Sequence, residues 1–178
     1  MIHKKLNAGC GNDIRKGWVN LDYFNKKADY IWDLRKLPLP FKDNEFDYIY
    51  CNGVLEDFTE PAEIILEFIR ICKVGGRIEL MVPFETGTWR SIRHKHPFTL
   101  TCLKSFVYRT NYGKPNLPVK IIKLKYEHDC SDYGLLKTII IKPLTWLQNI
   151  IPYKYIELTP LKFFLFPLPQ CKCIYEKK

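Results

Sequence analysis

The chain has 178 residues, 47% hydrophobic and 15% aromatic, which is enough for one substantial core and too apolar for a disordered chain. No run reaches the roughly 18 apolar residues of a membrane-spanning helix, the longest candidate being broken as "FFLFPLP", Phe163 to Pro169. Charge divides along the chain: residues 1–89 carry 12 Lys and Arg against 14 Asp and Glu, and residues 90–178 carry 16 against 5, so −2 and +11 make the overall +9.

The opening "MIHKKLNAGCG" moves directly into a turn and leaves no room for the apolar segment and cleavage site of a signal peptide, so a cytoplasmic location is expected. "KKLNAG" reads as a short strand. In "LNAGCGND", Leu6 to Asp13, Gly9 and Gly11 flank Cys10 just after it; glycine belongs where the backbone takes φ > 0 or where another group comes close. A strand, a glycine turn and a helix start together suggest a nucleotide pocket. "WVNLDYF", Trp18 to Phe24, and "ADYIWDL", Ala28 to Leu34, have strand composition and each carries an acidic residue near its end. "FDYIYCNGVLEDF", Phe46 to Phe58, begins as an aromatic and β-branched strand and breaks at Asn52-Gly53. "PAEIILEFIRICKVGG" is a helix: Pro61 suits the first turn, Ile65, Phe68, Ile69 and Cys72 make an apolar stripe, and Gly75-Gly76 is the expected stop. "RIELMVP", Arg77 to Pro83, has the continuous apolarity of a buried parallel strand.

Strands alternating with helices imply a parallel sheet with right-handed crossovers, and in such sheets ligands sit beyond the carboxyl ends of the strands. Gly9 and Gly11 follow the first strand, Asp22 closes the second, Asp33 the third and Asn52 the fourth. An ionised Asp is acceptor-only, so Asp22 suits the hydroxyls of a ribose and Asp33 an exocyclic amine. A dinucleotide fold wants G-x-G-x-x-G, but Gly9-Cys10-Gly11 is followed by Asn12, Asp13 and Ile14. Asp13 would repel a pyrophosphate and is harmless beside a sulfonium.

These segments resemble the class I S-adenosylmethionine-dependent methyltransferases, specifically the short "type 11" group. The resemblance covers residues 5 to about 100 and rests on "KLNAGCGNDIRKGWVNLD", "DLRKLPLPFKDNEFDYIYCNGVLEDF" and "ILEFIRICKVGGRIELMVP" in that order. It implies S-adenosylmethionine as cofactor, with Asn7, Ala8, Gly9, Cys10 and Gly11 around the methionine part. Asp22 and Tyr23 would lie at the ribose, Asp33 and Leu34 at the adenine, and Asn52 and Gly53 beneath the cofactor. The implied fold is α/β: a Rossmann-like, seven-stranded, mostly parallel sheet with an antiparallel last strand and helices on both faces. "VKIIKLKYEHD", Val119 to Asp129, would be the sixth strand and the terminal "QCKCIYEKK" the seventh. The whole chain reads as one domain, with a cofactor half at 1–89 and a basic, acceptor-side half at 90–178.

Where relatives often read "HVLEHF", this chain has "GVLEDF", with Gly53 and Asp57 in place of two histidines. A subunit that keeps the cofactor fold without catalysis is therefore a further alternative. In "PFETGTWRSIRHKHPFT", Pro83 to Thr99, His96 is the candidate general base, because imidazole titrates near neutrality. The leading acceptor is a small molecule or glycan, methylated at oxygen or nitrogen, with an anionic group suggested by Arg90, Arg93 and Lys95. A nucleic acid is the alternative, with weak, salt-sensitive binding expected, because spaced aromatic platforms are lacking. "GLLKTIIIKPLTWLQNIIPYKYIELTPLKFFLFPLP", Gly134 to Pro169, reads as short helices joined by turns. It suits a layer over the sheet, a homodimer contact or a membrane-surface contact. The seven cysteines include no CxxC pair and read as core side chains, and no metal site is expected.

Overall fold

The computed structural model describes residues 3–84, 91–108, 117–127, 142–151 and 170–178. Seven strands form one sheet: β1 (Lys5–Ala8), β2 (Val19–Asp22), β3 (Tyr30–Ile31), β4 (Phe46–Asn52), β5 (Cys72–Pro83), β6 (Val119–Glu127) and β7 (Gln170–Lys177), in the order β3-β2-β1-β4-β5-β7-β6. The pairs among β1 to β5 are parallel, while β7 runs antiparallel to both β5 and β6. The helices are α1 (Pro61–Ile71), α2 (Leu100–Tyr108) and α3 (Lys142–Ile150).

Side chains alternate across each strand, and one face of the sheet is wholly apolar. Leu6, Ala8, Leu21, Ile49, Cys51, Ile78, Leu80, Val82, Cys171, Cys173 and Tyr175 are all essentially inaccessible. The connections from β4 to β5 and from β5 to β6 place α1 and α2 on this face. They contribute Ile64, Ile65, Phe68 and Ile69 from α1, and Leu100, Leu103 and Val107 from α2, to the core. The Tyr175 hydroxyl donates to the carbonyl of Leu103 (2.8 Å), tying β7 to α2.

The opposite face is built differently. No helix follows β1: residues 9–18 form a loop that lies on the sheet where the sequence suggested a helix start. Trp18 packs edge-on against Tyr48 and Tyr50, and the Arg15 guanidinium sits 3.8 Å from the centre of the Tyr50 ring. Asn20, 4% exposed, holds this loop. Its side-chain oxygen accepts from Arg15 N (2.9 Å) and Asn7 Nδ2 (3.3 Å), and its amide donates to the Arg15 carbonyl (3.1 Å) and to Asp29 Oδ2 (3.0 Å). Asp29 also accepts from Asn20 N (2.7 Å).

Gly75-Gly76 does not stop α1. The helix ends at Ile71, and the glycines sit inside β5 at an irregularity where Phe46 pairs with Cys72 and Tyr48 with Arg77. Gly75 has φ +76°, and a Cβ on Gly76 would meet Cys72 Sγ at 2.8 Å, so the pair serves a kinked strand entry. At the outer edge of β6, Asn149 of α3 accepts from Tyr126 N (2.9 Å) and donates to Tyr126 O (3.0 Å), occupying edge groups that would otherwise offer themselves to another strand. The rest of the 134–169 segment, and Arg90, lie outside the described residues.

Candidate active site

The carboxyl ends of β1, β2 and β4, with the turn after β3, surround a cavity of about 660 Å³. Gly9 and Gly11 form part of its floor. Gly9 has φ +68°, and a Cβ there would lie 2.4 Å from Val54 Cγ2, so both backbone and space require glycine. Gly11, φ +49°, faces open space and leaves its backbone approachable. Asn7 supports the turn from beneath, donating to the Asp13 carbonyl (2.6 Å).

Asp22 organises this end. Its Oδ1 accepts from the backbone N–H groups of Phe24 (2.8 Å) and Asn25 (2.9 Å), and its Oδ2 from Gly11 (2.9 Å). Burial raises the carboxyl's pKa, but the three backbone donors outweigh it and hold the group below the usual carboxylate range. About one of its four lone-pair directions remains for a ligand hydroxyl. Across the slot the Arg35 guanidinium grips Asp33, holding that carboxyl low as well. Tyr23, Phe24, Trp32, Leu34, Leu37 and Ile64 complete an apolar compartment.

At the other end the wall comprises Gly53, Val54, Asp57, Phe58, Thr59, Glu60 and Glu63, with Arg93 and Lys95. The 93–96 segment is fixed to the turn at Leu55–Asp57, because the backbone N–H groups of Lys95 (2.6 Å) and His96 (3.1 Å) both donate to the Glu56 carbonyl. Arg93 and Lys95 line the cavity, whereas His94 and His96 are absent from its lining. The His96 ring packs on Phe98, and burial lowers its pKa. His94 Nε2 lies 3.9 Å from Glu56 Oε1. Glu56 is 4% exposed, and burial followed by the nearby Asp57 charge pushes it up to about 7.

Of the residues singled out from sequence, Gly9, Gly11, Asp22, Tyr23, Asp33, Leu34 and Gly53 meet in the cavity wall. Asn7, Ala8, Cys10, Asn52 and His96 do not line it. Cys10 is turned inward and its thiol is raised to about 11, first by burial and then by the Asp22 charge. Sequence reasoning missed Val54, Trp32, Arg35, Asn20 and the Glu56–His94 pair. A polar residue in the middle of the strand pattern "WVNLD" was the one available signal for Asn20.

A glycine floor, a carboxylate with spare acceptor capacity and an apolar slot fit a nucleoside-type cofactor, and the acidic side chains disfavour added phosphates. Among the described residues no His, Cys, Asp and Glu group is arranged to hold a metal ion. The strand order, with the cavity beyond the carboxyl ends of the parallel strands, is that of the class I methyltransferase fold. Residues 10–80 match the family model described as "Methyltransferase domain".

A 75-residue stretch is 36% identical to Uncharacterized protein MJ1123 of Methanocaldococcus jannaschii, covering 42% of this chain and 36% of that relative. The chain thus matches about a third of the length of this curated relative. The solved structure of a SAM-dependent methyltransferase from Archaeoglobus fulgidus superposes with a TM-score of 0.61 at 16% identity, covering 98% of this chain and 86% of that one. The plantazolicin methyltransferase BpumL, solved with SAH, gives 0.55 at 12% identity, covering 99% and 76%. At such identities the likeness is one of fold.

Proposed function

We propose that the chain transfers the methyl group of S-adenosylmethionine to oxygen or nitrogen of a small-molecule or glycan-type acceptor. One observation carries this reading: a single cavity runs from the glycine turn and Asp22 to the wall formed by Gly53, Asp57, Arg93 and Lys95. The cofactor supplies a methyl group made electrophilic by its sulfonium, ready for in-line displacement. The chain's own part is alignment and exclusion of water. Gly9 and Gly11 admit the methionine portion, the spare lone pair of Asp22 accepts from a ribose hydroxyl, and Phe58 and Val54 give the transfer region apolar walls. Asp57, Glu60 and Glu63 offset the charge of Arg93 and Lys95. This mixed wall suits a small acceptor better than a polyanion, which favours the small-molecule reading over nucleic acid.

Calorimetry with S-adenosylhomocysteine, NAD and ATP tests the cofactor assignment, with heat expected only from the adenosyl ligand. Turnover of labelled cofactor against acceptor mixtures then tests the reaction, and a chain that binds the adenosyl ligand but never turns over would support a non-catalytic subunit. His96→Ala tests the base. With the ring packed on Phe98 and outside the cavity lining, unchanged turnover is the expected outcome and leaves the role to a lining carboxylate such as Asp57, whereas a fall of tenfold or more with unchanged cofactor affinity would show that imidazole removes the acceptor's proton.

A further inference from the structure

The Asp33–Arg35 pair has a geometry that bears on how the nucleobase end of the cavity is read. Asp33 Oδ1 accepts from the backbone N–H of Arg35 (2.9 Å) and from its Nε (2.9 Å), while Oδ2 accepts from Nε (3.0 Å) and Nη2 (2.7 Å). Four contacts occupy the roughly four acceptor directions of a carboxylate, and the Asp33 side chain is only 11% exposed. The Arg35 side chain is 65% exposed and lines the cavity beside Trp32, Leu34 and Leu37. Its support is rigid: Trp32 Nε1 donates to the Lys36 carbonyl (2.9 Å), and Lys36 N to the Asp33 carbonyl (2.9 Å), closing the turn around the pair.

A guanidinium carries five N–H donors and no acceptor, and its flat face stacks on aromatic rings. With Nε–H and one Nη2–H committed to Asp33, the other three donors stay available to ring nitrogens or a carbonyl oxygen of a purine. We propose that Arg35, oriented by Asp33, is the residue that reads the base of the nucleoside cofactor, and that Asp33 acts through Arg35 rather than on the exocyclic amine. This inference rests on the reading of the cavity as an S-adenosylmethionine site. It makes the base subsite tolerant of a 6-oxo purine: a donor-only reader accepts an oxygen at that position, whereas a carboxylate in direct contact with it would be repelled.

The experiment is calorimetry of the whole chain with S-adenosylhomocysteine and with its 6-oxo analogue, S-inosylhomocysteine. The wild-type chain should bind the two within about threefold. Arg35→Ala, at an exposed position, should fold normally and weaken S-adenosylhomocysteine by about 5–20-fold, with no recovery in Arg35→Lys, since an ammonium lacks the planar fork. Asp33→Asn should weaken binding comparably, and the Asp33→Asn/Arg35→Ala double variant should be no weaker than Arg35→Ala within about twofold. Rejection of the 6-oxo ligand by more than about 50-fold would overturn the proposal. So would a loss in Asp33→Asn that persists undiminished on the Arg35→Ala background. Failure of the wild-type chain to bind S-adenosylhomocysteine at all would instead sink the cavity's assignment.

Discussion

Gly9 combines two constraints in one residue. The left-handed backbone costs an L side chain about 1–2 kcal/mol, and overpacking a filled space typically adds 1–3 kcal/mol. A Cβ 2.4 Å from Val54 Cγ2 incurs both. Gly9→Ala should therefore lose roughly 2–5 kcal/mol in urea unfolding, and adding Val54→Ala should recover the packing part but not the backbone part. Full recovery would mean that the φ of +68° is not required. Glu56 offers a second residue-scale test, this time through pH. Its folded pKa of about 7 lies above the ordinary 4.5, so the fold binds more protons than the unfolded chain between those values. Its contribution to stability is most favourable below pH 4.5 and declines as pH rises to about 7. Glu56→Gln should flatten that part of the profile and be more stable than wild type at pH 8 by on the order of 3 kcal/mol. Unfolding midpoints of both chains from pH 5 to 8 would show this, and parallel profiles would refute it.

At the scale of elements, the loop between β1 and β2 depends on Asn20 for what a helix would supply through its own backbone. Removing a side chain that serves several buried or half-buried partners costs about 1–3 kcal/mol for each group left unsatisfied. Asn20→Ala should lose about 2–4 kcal/mol and also weaken binding of S-adenosylhomocysteine, because Asn7 and the glycine turn share its network. Destabilisation with unchanged affinity would show that the turn holds its shape alone. This same loop explains what was legible in the sequence. Elements whose periodicity is set by burial were readable: β4 with its break after Asn52, α1 from Pro61, and the alternation in β7. The crossover after β1 was not, because its order comes from Asn7, Asn20 and Asp29, which are distant enough in sequence to leave no periodic trace. Gly75-Gly76 misled for a related reason: a helix stop and a kinked strand entry use the same residue, and only the pairing of Phe46 with Cys72 separates them. The cavity's glycines and carboxylates were readable as strand-end residues. Arg35 was hidden, because nothing linear says which cation a carboxylate will grip.

Across the whole molecule, both halves of the chain share one sheet, and the charge imbalance of the sequence does not become a one-signed cavity. Arg93 and Lys95 face Asp57, Glu60 and Glu63 there, while other lysines of the second half are paired in the sheet, Lys172 with Glu79 at 2.7 Å and Lys120 with Glu176 at 2.6 Å. An acceptor's affinity should accordingly show a shallow dependence on salt, and a steep decline of log affinity with log salt, near 0.7–0.9 per neutralised phosphate, would instead point to a nucleic acid. The position of β7 carries a consequence for synthesis. It lies between β5 and β6 in space but is made after both, so β6 leaves the ribosome with its inner edge unpaired and β5 with one edge open. The 42 residues at 128–169 separate β6 from β7. At about 5–20 residues per second this interval lasts roughly 2–8 seconds. During it the nascent chain carries two open strand edges and a half-covered core, which makes elongation through that stretch the period in which a holding chaperone has most to protect.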